Sequence, residues 1–435
     1  MLICQLFLLL IDTRFTNRQD DHDFMTSPHL SIIIPVFNQW PLTEQCLRSL
    51  REHTPGRFFE VTVVDNNSSD DTTTHCKTLG TSLFPDRFHY LPMPENLGFG
   101  RACNIGADQA KGEFLFFLNN DTILTPSWFT PLLQAFHDDS RLGIAGPLLL
   151  YPGSERVQHL GIAFLPGSQQ EHLYEFFPAD HPLAAKKRHL QAITGAAMLM
   201  RRDLFRQCDG FFPGFVNGGE DVDLCVRAAR QGTYVTCIPE SIIYHLASQT
   251  EGRFSHDVAN AHVLHDRCAT LLFPDIHRII AEDGYELRLT PWLLPFVALS
   301  DTHRQLYENI SSSQDIDDIR KNLRIEPLWE EGYAMLATHL EHNAAWEDAC
   351  LTRFFQVHFA PSLGAMRQLF LTAKKAGQTQ LMTETAGKIA TIEGRLQDMA
   401  GLRTKAAKIY AQARKDGDEI LKSVYRNWLI ENDPS

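Results

Sequence analysis

Residues 114–121 read FLFFLNND, Phe114 through Asp121, with Thr122 next. Five apolar residues in a row, set between Gly112 and a polar cluster, are the pattern of a strand buried on both faces. The run stops at Asn119, Asn120 and Asp121. Such a strand delivers two carboxamides and a carboxylate at its C-terminal end, where open α/β sheets bind ligands. A hard oxygen ligand there suits Mg²⁺ or Mn²⁺, with a nucleotide diphosphate supplying further oxygens. The same three residues also fit an Asx turn at a strand end, and the rest of the chain has to decide between the two.

Outward from this strand the pattern repeats. Leu30 to Phe37 (LSIIIPVF) reads as a buried first strand ended by Asn38, with a helix from Pro41 to about Arg51. Phe59 to Val64 is a second strand, followed by the polar turn Asp65 to Asp70, and Phe88 to Leu91 a short third. Asn96 to Gly100 reads as a loop and Arg101 to Ala110 as a helix. Strands and helices alternating with short links predict a doubly wound, mostly parallel sheet, with every polar cluster on one edge. Further on, Ile144 to Tyr151 is apolar, a loop-rich insertion runs to about His189, and Ile193 to Met200 is another strand. Gly218 to Leu224 (GGEDVDL) opens a helix stopped by Gly232. Tyr234 to Ile238 and Ser241 to Tyr244 read as two short strands, with His245 directly after.

The 435 residues allow two or three domains, and 44% hydrophobic with 21% charged residues is ordinary for a globular chain. A formal charge of −13 gives no electrostatic case for nucleic-acid binding. Nine cysteines without a C-x-x-C pair suggest reduced thiols in a cytoplasmic protein, with neither a zinc site nor a disulfide framework. The G-x-G at Gly98 is no dinucleotide fingerprint, because position 103 is Cys and the loop does not follow the first strand; no phosphate-loop motif occurs either. Residues 1–27 are an extension: its apolar run is about half a membrane span, and it reads either as a peripheral membrane-touching segment or as sequence ahead of a start at Met25. Residues 28–279 form the α/β domain. Residues 280–435 are all-α by periodicity, as in Leu336, His339 and Leu340 or Met366, Leu369, Phe370 and Ala373. Six or seven amphipathic helices are expected there, stacked as helical hairpins in the tetratricopeptide manner and available to a protein partner.

Seven motifs in order, SIIIPVFN, VVDNNSSDDT, ENLGFGRACNIGADQAKG, FLNNDT, ITGAAMLMRRDLF, GGEDVDLCVRAARQG and YHLASQT, resemble the glycosyltransferase family 2 enzymes with a GT-A fold, nearest the rhamnosyltransferase-like members of bacterial polysaccharide assembly. The resemblance covers about Leu30 to Ser248 and does not reach the helical region. It implies inverting, non-processive sugar transfer from a UDP- or dTDP-sugar to a glycan or lipid-linked glycan hydroxyl, at the inner membrane face. Processive members carry Q-x-x-R-W and membrane helices, and neither is found in this sequence.

The resemblance also implies roles. Asp121 is the direct metal ligand, His245 the second, and Asn119 a weaker contributor, since Asn119 and Asn120 stand where many relatives carry Asp. Asp221 resembles the catalytic base, with Glu220 beside it as runner-up or acceptor-binding group. Two adjacent carboxylates repel each other when both are ionised, which favours base chemistry near neutral pH. Acids also simply favour a helix's first turn. Phe37 would stack on the nucleobase, Pro35 and Asn38 adjoin it, and Asp65 would accept a pyrimidine N3–H. Asn67, Asn96, Gly98, Arg101 and Asn120 resemble nucleoside or diphosphate contacts, and Gly195 a loop beneath the acceptor. The alternative is a degenerate transferase that binds nucleotide-sugars or acts as a scaffold through its helical half.

Overall fold

The computed structural model describes residues 30–246, 256–308 and 315–433. The extension 1–27, the Met25 start and the end of the YHLASQT motif lie outside them. The chain forms two compact units, the first ending at Pro274 and the second starting at Asp275.

In the first unit, strands β1 (Leu30–Val36), β2 (Phe59–Asp65), β3 (Phe88–Pro92) and β4 (Phe114–Leu118) run parallel in the order β3-β2-β1-β4. Their register aligns the C-terminal ends: Val36 stands opposite Asp65, Asp65 opposite Pro92, and Ile33 opposite Phe117. Leu30, Ile32, Ile34 and Val36 face one hydrophobic layer with Phe116 and Trp128, whose rings lie 4.7 Å apart. On the other face the helix Phe99–Gln109 lies close against the sheet, because a Cβ on Gly106 would stand 2.5 Å from Ile33 Cγ2. This is the small-residue side that Gly100, Ala102, Gly106 and Ala107 give the helix.

Beyond β4 the sheet becomes mixed. Strands β5 (Thr122–Leu124), β6 (Leu142–Leu150), β7 (Val157–His159), β8 (Ile162–Leu165), β9 (Gln169–His172), β10 (Ala197–Arg201) and β11 (Tyr234–His245) follow in the chain. The sheet continues β4-β10-β6-β11-β5, with β10 antiparallel to both neighbours, β11 parallel to β6, and β7 on β6. This is the expected GT-A architecture, a parallel half extended by antiparallel strands. Two boundaries differ from the sequence reading. The strand expected from Ile193 starts at Ala197, because the Thr194 and Gly195 amides bond side chains instead of a ladder. The two strands expected from Tyr234 are one, bulged between Ile238 and Ile242, so His245 is its last residue rather than the one after it.

Among its described residues the second unit is helical apart from the hairpin of β12 (Tyr285–Leu289) with β13 (Pro295–Leu299). It also takes in the helix Ile276–Glu282, which the sequence boundary of 279/280 divides, because His277 and Arg278 both bond Asp418. Helices Glu330–His342, Trp346–Phe359, Leu363–Lys375, Thr379–Gln397, Met399–Asp416 and Glu419–Glu431 follow with links of one to three residues. Leu336, Leu340, Met366, Leu369 and Ala373 are buried as their spacing predicts, whereas His339 is exposed and bonds Asn343 one turn on.

Candidate active site

The aligned strand ends open into one cleft, lined on one side by Pro35, Val36, Phe37, Asn66 and Asn96, and on the other by Thr194, Gly195, Glu220 and Asp221. Asn119, Asn120, Asp121 and His245 form its floor.

Asp121 and His245 meet because β11 pairs antiparallel with β5, placing His245 opposite Thr122. The Leu246 N–H donates to the Asp121 carbonyl at 2.9 Å and closes the junction. His245 Nε2 lies 3.1 Å from Asp121 Oδ1 and 3.4 Å from Asn119 Nδ2. Sequence reasoning missed the residue that orients this imidazole. Gln158, buried on β7, donates from Nε2 to the His245 carbonyl at 2.7 Å, and its Oε1 faces His245 Nδ1 at 2.6 Å. An amide oriented in that way requires the proton on Nδ1, and the neutral imidazole then carries on Nε2 a lone pair that a cation beside Asp121 can take.

That donor set fits a hard divalent cation in part. One carboxylate, one imidazole and a neighbouring carboxamide leave coordination positions for other oxygens. Among the described residues no three His, Cys, Asp or Glu side chains cluster as a closed metal cage. Among the described residues the lining holds three carboxylates, Asp121, Glu220 and Asp221, and no Lys or Arg.

At the other end Asp221 is the second residue of the helix Glu220–Arg230. Its Oδ2 accepts the Gly195 N–H and its Oδ1 the Val222 N–H, both at 2.8 Å, so two amides hold the carboxylate's orientation. Glu220, 4% exposed, turns elsewhere and accepts the Gly218 N–H at 2.6 Å. Successive helical residues point about 100° apart, so adjacent carboxylates need not share a direction.

The remaining expected residues divide. Phe37 is half-buried in the lining, as stacking on a base requires. Asn120 lines the cleft and donates to Thr43 Oγ1 at 2.8 Å. Asn96 lines it too, accepting the Gly98 N–H, and Gly98 takes φ +79° at the helix start. Asn38 is spent on the neighbouring turn, its backbone N–H on Ser68 Oγ and its Oδ1 on the Ser69 N–H. Asp65 is buried and accepts the Ser68 N–H and the Tyr90 hydroxyl. That hydroxyl is pushed well above the usual phenol range by its own burial and by the carboxylate beside it. Asn67, at φ +66°, is exposed and outside the lining, and its neighbour Asn66 takes the place, bonding Gly98 O and the Leu97 N–H. Arg101 is exposed and donates to the Pro213 carbonyl at 3.1 Å, away from the lining. Asn217, unexpected from the sequence, lines the cleft and accepts the Phe99 N–H at 2.9 Å.

Residues 31–209 match the family model described as Glycosyl transferase family 2. The first unit belongs to that family. The O-antigen biosynthesis protein RfbC of Myxococcus xanthus is similar to this chain at 30% identity over 226 residues, which is 50% of this chain and 17% of RfbC. The N-acetylglucosaminyl-diphospho-decaprenol L-rhamnosyltransferase of Mycobacterium tuberculosis is 25% identical over 273 residues, 57% of this chain and 85% of that enzyme. The GalNAc(5)-diNAcBac-PP-undecaprenol beta-1,3-glucosyltransferase of Campylobacter jejuni is 36% identical over 108 residues, 25% of this chain and 34% of that enzyme. The chain therefore spans about a third or less of the length of two of these three relatives. Among solved structures, GalNAc-T7 with UDP, GalNAc and Mn²⁺ aligns with 54% of this chain and 48% of its own at 17% identity and a TM-score of 0.45. In the family 2 unit, the motifs quoted from the sequence are the segments whose ends surround the cleft.

Proposed function

We propose that the family 2 unit transfers a sugar from a UDP- or dTDP-sugar to an acceptor hydroxyl in cell-surface glycan assembly, with a divalent metal and with inversion. One observation carries the reading. A cleft whose described lining holds three carboxylates and no Lys or Arg repels a diphosphate unless a cation enters with it. Asp121 and His245, with Asn119 beside them, would hold that Mn²⁺ or Mg²⁺, which neutralises charge on the departing diphosphate. Asp221 takes the proton of the acceptor hydroxyl as its oxygen bonds to the anomeric carbon. The bond from that carbon to the diphosphate breaks, and its electron pair leaves with the diphosphate.

Phe37, with Pro35 beside it, supplies the face for the nucleobase, and Glu220 and Gly195 adjoin the acceptor. The names of the mycobacterial and Campylobacter relatives both contain a polyprenyl diphosphate glycan, which favours a lipid-linked acceptor. The reading places such an acceptor at the inner membrane face; no described helix is long and apolar enough to cross a membrane.

The test is binding of UDP, dTDP and GDP, with and without Mn²⁺, to the wild type and to Asp121→Ala. Metal-dependent binding of one nucleotide, lost in the variant, is the expected result. If none binds, the transferase reading fails and a scaffold role through the helical unit takes its place.

A further inference from the structure

His159, the last residue of β7, is 1% exposed and has no part in the chemistry above. Its Nε2 accepts the Thr194 N–H at 3.2 Å, and its Nδ1 lies 3.0 Å from Nδ1 of His172. An Nε2 that accepts must carry a lone pair, so the proton sits on Nδ1 and is donated to His172. Burial holds the His159 imidazole well below the usual range, keeping it neutral and its acceptor intact.

The segment it grips is the one that holds the base. Three successive amides are tied: Thr194 N–H to His159, Gly195 N–H to Asp221 Oδ2, and Ala196 N–H to Thr194 Oγ1. The Ala196 carbonyl then accepts the Asn119 N–H at 2.8 Å, joining the segment to the metal end of the cleft. Thr194–Ala196 has no strand ladder of its own at these amides, so its position depends on the side chains around it.

We propose that His159 is a positioning residue: by accepting the Thr194 N–H it fixes the turn whose next amide aims the Asp221 carboxylate. The proposal rests on Asp221 being the base. A merely structural histidine would lower stability when removed, and would leave turnover by the folded protein as it was.

The experiment compares His159→Phe, which keeps a ring and loses the acceptor, with His159→Gln, whose amide oxygen reaches toward the same N–H. Steady-state transfer is measured with the nucleotide-sugar that the wild type uses, alongside calorimetric binding of the nucleoside diphosphate in Mn²⁺. His159→Phe should lose about tenfold or more in kcat with donor KM and diphosphate affinity held within about twofold, and His159→Gln should regain most of the loss. In an Asp221→Asn background His159→Phe should cost nothing further, since the group it aims is gone. Unchanged kcat in His159→Phe, or an equal loss in both backgrounds, overturns the proposal. Should His159→Phe fail to fold, His159→Leu replaces it: it too loses the acceptor of the Thr194 N–H, should lower kcat in the same way, and an unchanged kcat overturns the proposal. A wild type that transfers nothing, or an Asp221→Asn variant of full activity, instead overturns the reading of the site itself.

Discussion

Gly195 and Asp221 approach so closely that a Cβ on Gly195 would lie 3.3 Å from the Asp221 Cβ, with the Phe99 ring 3.2 Å away on another side. The Gly195 amide that bonds the carboxylate thus belongs to a residue with no room for a branched side chain.

Gly195→Val is therefore expected to displace Asp221 and Phe99 rather than to unfold the unit. Overpacking of this kind costs about 1–3 kcal/mol, whereas a displacement of 1 Å at a reacting group costs about 100-fold in rate. Thermal unfolding together with kcat separates the two. A Gly195→Val enzyme with wild-type kcat would show that the approach does not matter.

Replacing Gln158 with Leu removes both bonds that orient His245 while leaving every residue of the cleft lining in place. Loss of a group that orients a metal-ligating histidine typically costs about 10–100-fold in metal affinity. Titrating Mn²⁺ against nucleotide binding should show that weakening, and an unaltered Mn²⁺ dependence would count against His245 as a ligand.

Asp221→Asn keeps the shape and loses the proton acceptor. Transfer should fall by about 10²–10⁴-fold, the range general-base catalysis contributes. Nucleoside diphosphate affinity should not move, because Asp121 and His245 are untouched. Retained turnover would assign the base elsewhere, with Glu220 the next carboxylate to test.

In the second unit, burial holds the Glu326 carboxyl above its usual value of 4.5, while the Leu328 N–H and the Tyr285 hydroxyl bond it. The folded state then binds the proton more tightly than the unfolded one. Stability is greatest below about 4.5 and falls as pH rises through the interval up to the raised folded value. Glu326→Gln should remove that fall. At pH 7 its unfolding temperature should exceed the wild type's. Below the interval the two should converge, and a variant less stable at every pH would contradict the sign.

The parallel half of the sheet was legible because it depends on a strong local pattern, whereas His245 was joined to Asn119 and Asp121 only through the family resemblance, its pairing opposite Thr122 being distant in sequence. Continuous apolar runs identify buried strands, and polar residues at their ends share an edge once the strands are parallel. What could not be read depended on contacts distant in sequence. β7, β8 and β9 are three or four residues long, too short for alternation to rise above the insertion around them, so Gln158 and His159 carried no signal. Between Asn66 and Asn67 the left-handed backbone at Asn67 decides which side chain enters the cleft, and composition cannot show it. Arg101 illustrates the same limit: its charge suits a phosphate, but the helix directs it to the Pro213 carbonyl.

Gln158 and His159 are consecutive, and side chains leave successive strand positions on opposite faces. One supports the imidazole beside Asp121, and the other the turn that bonds Asp221. Any chimera that trims residues 151–189 to graft this cleft onto a leaner sheet would keep every lining residue from Pro35 to Asp121 and still lose the bracing of both ends together. A working transplant has to carry Val157–His159 and its seat on β6, a three-residue piece of apparent ornament, as part of the active site.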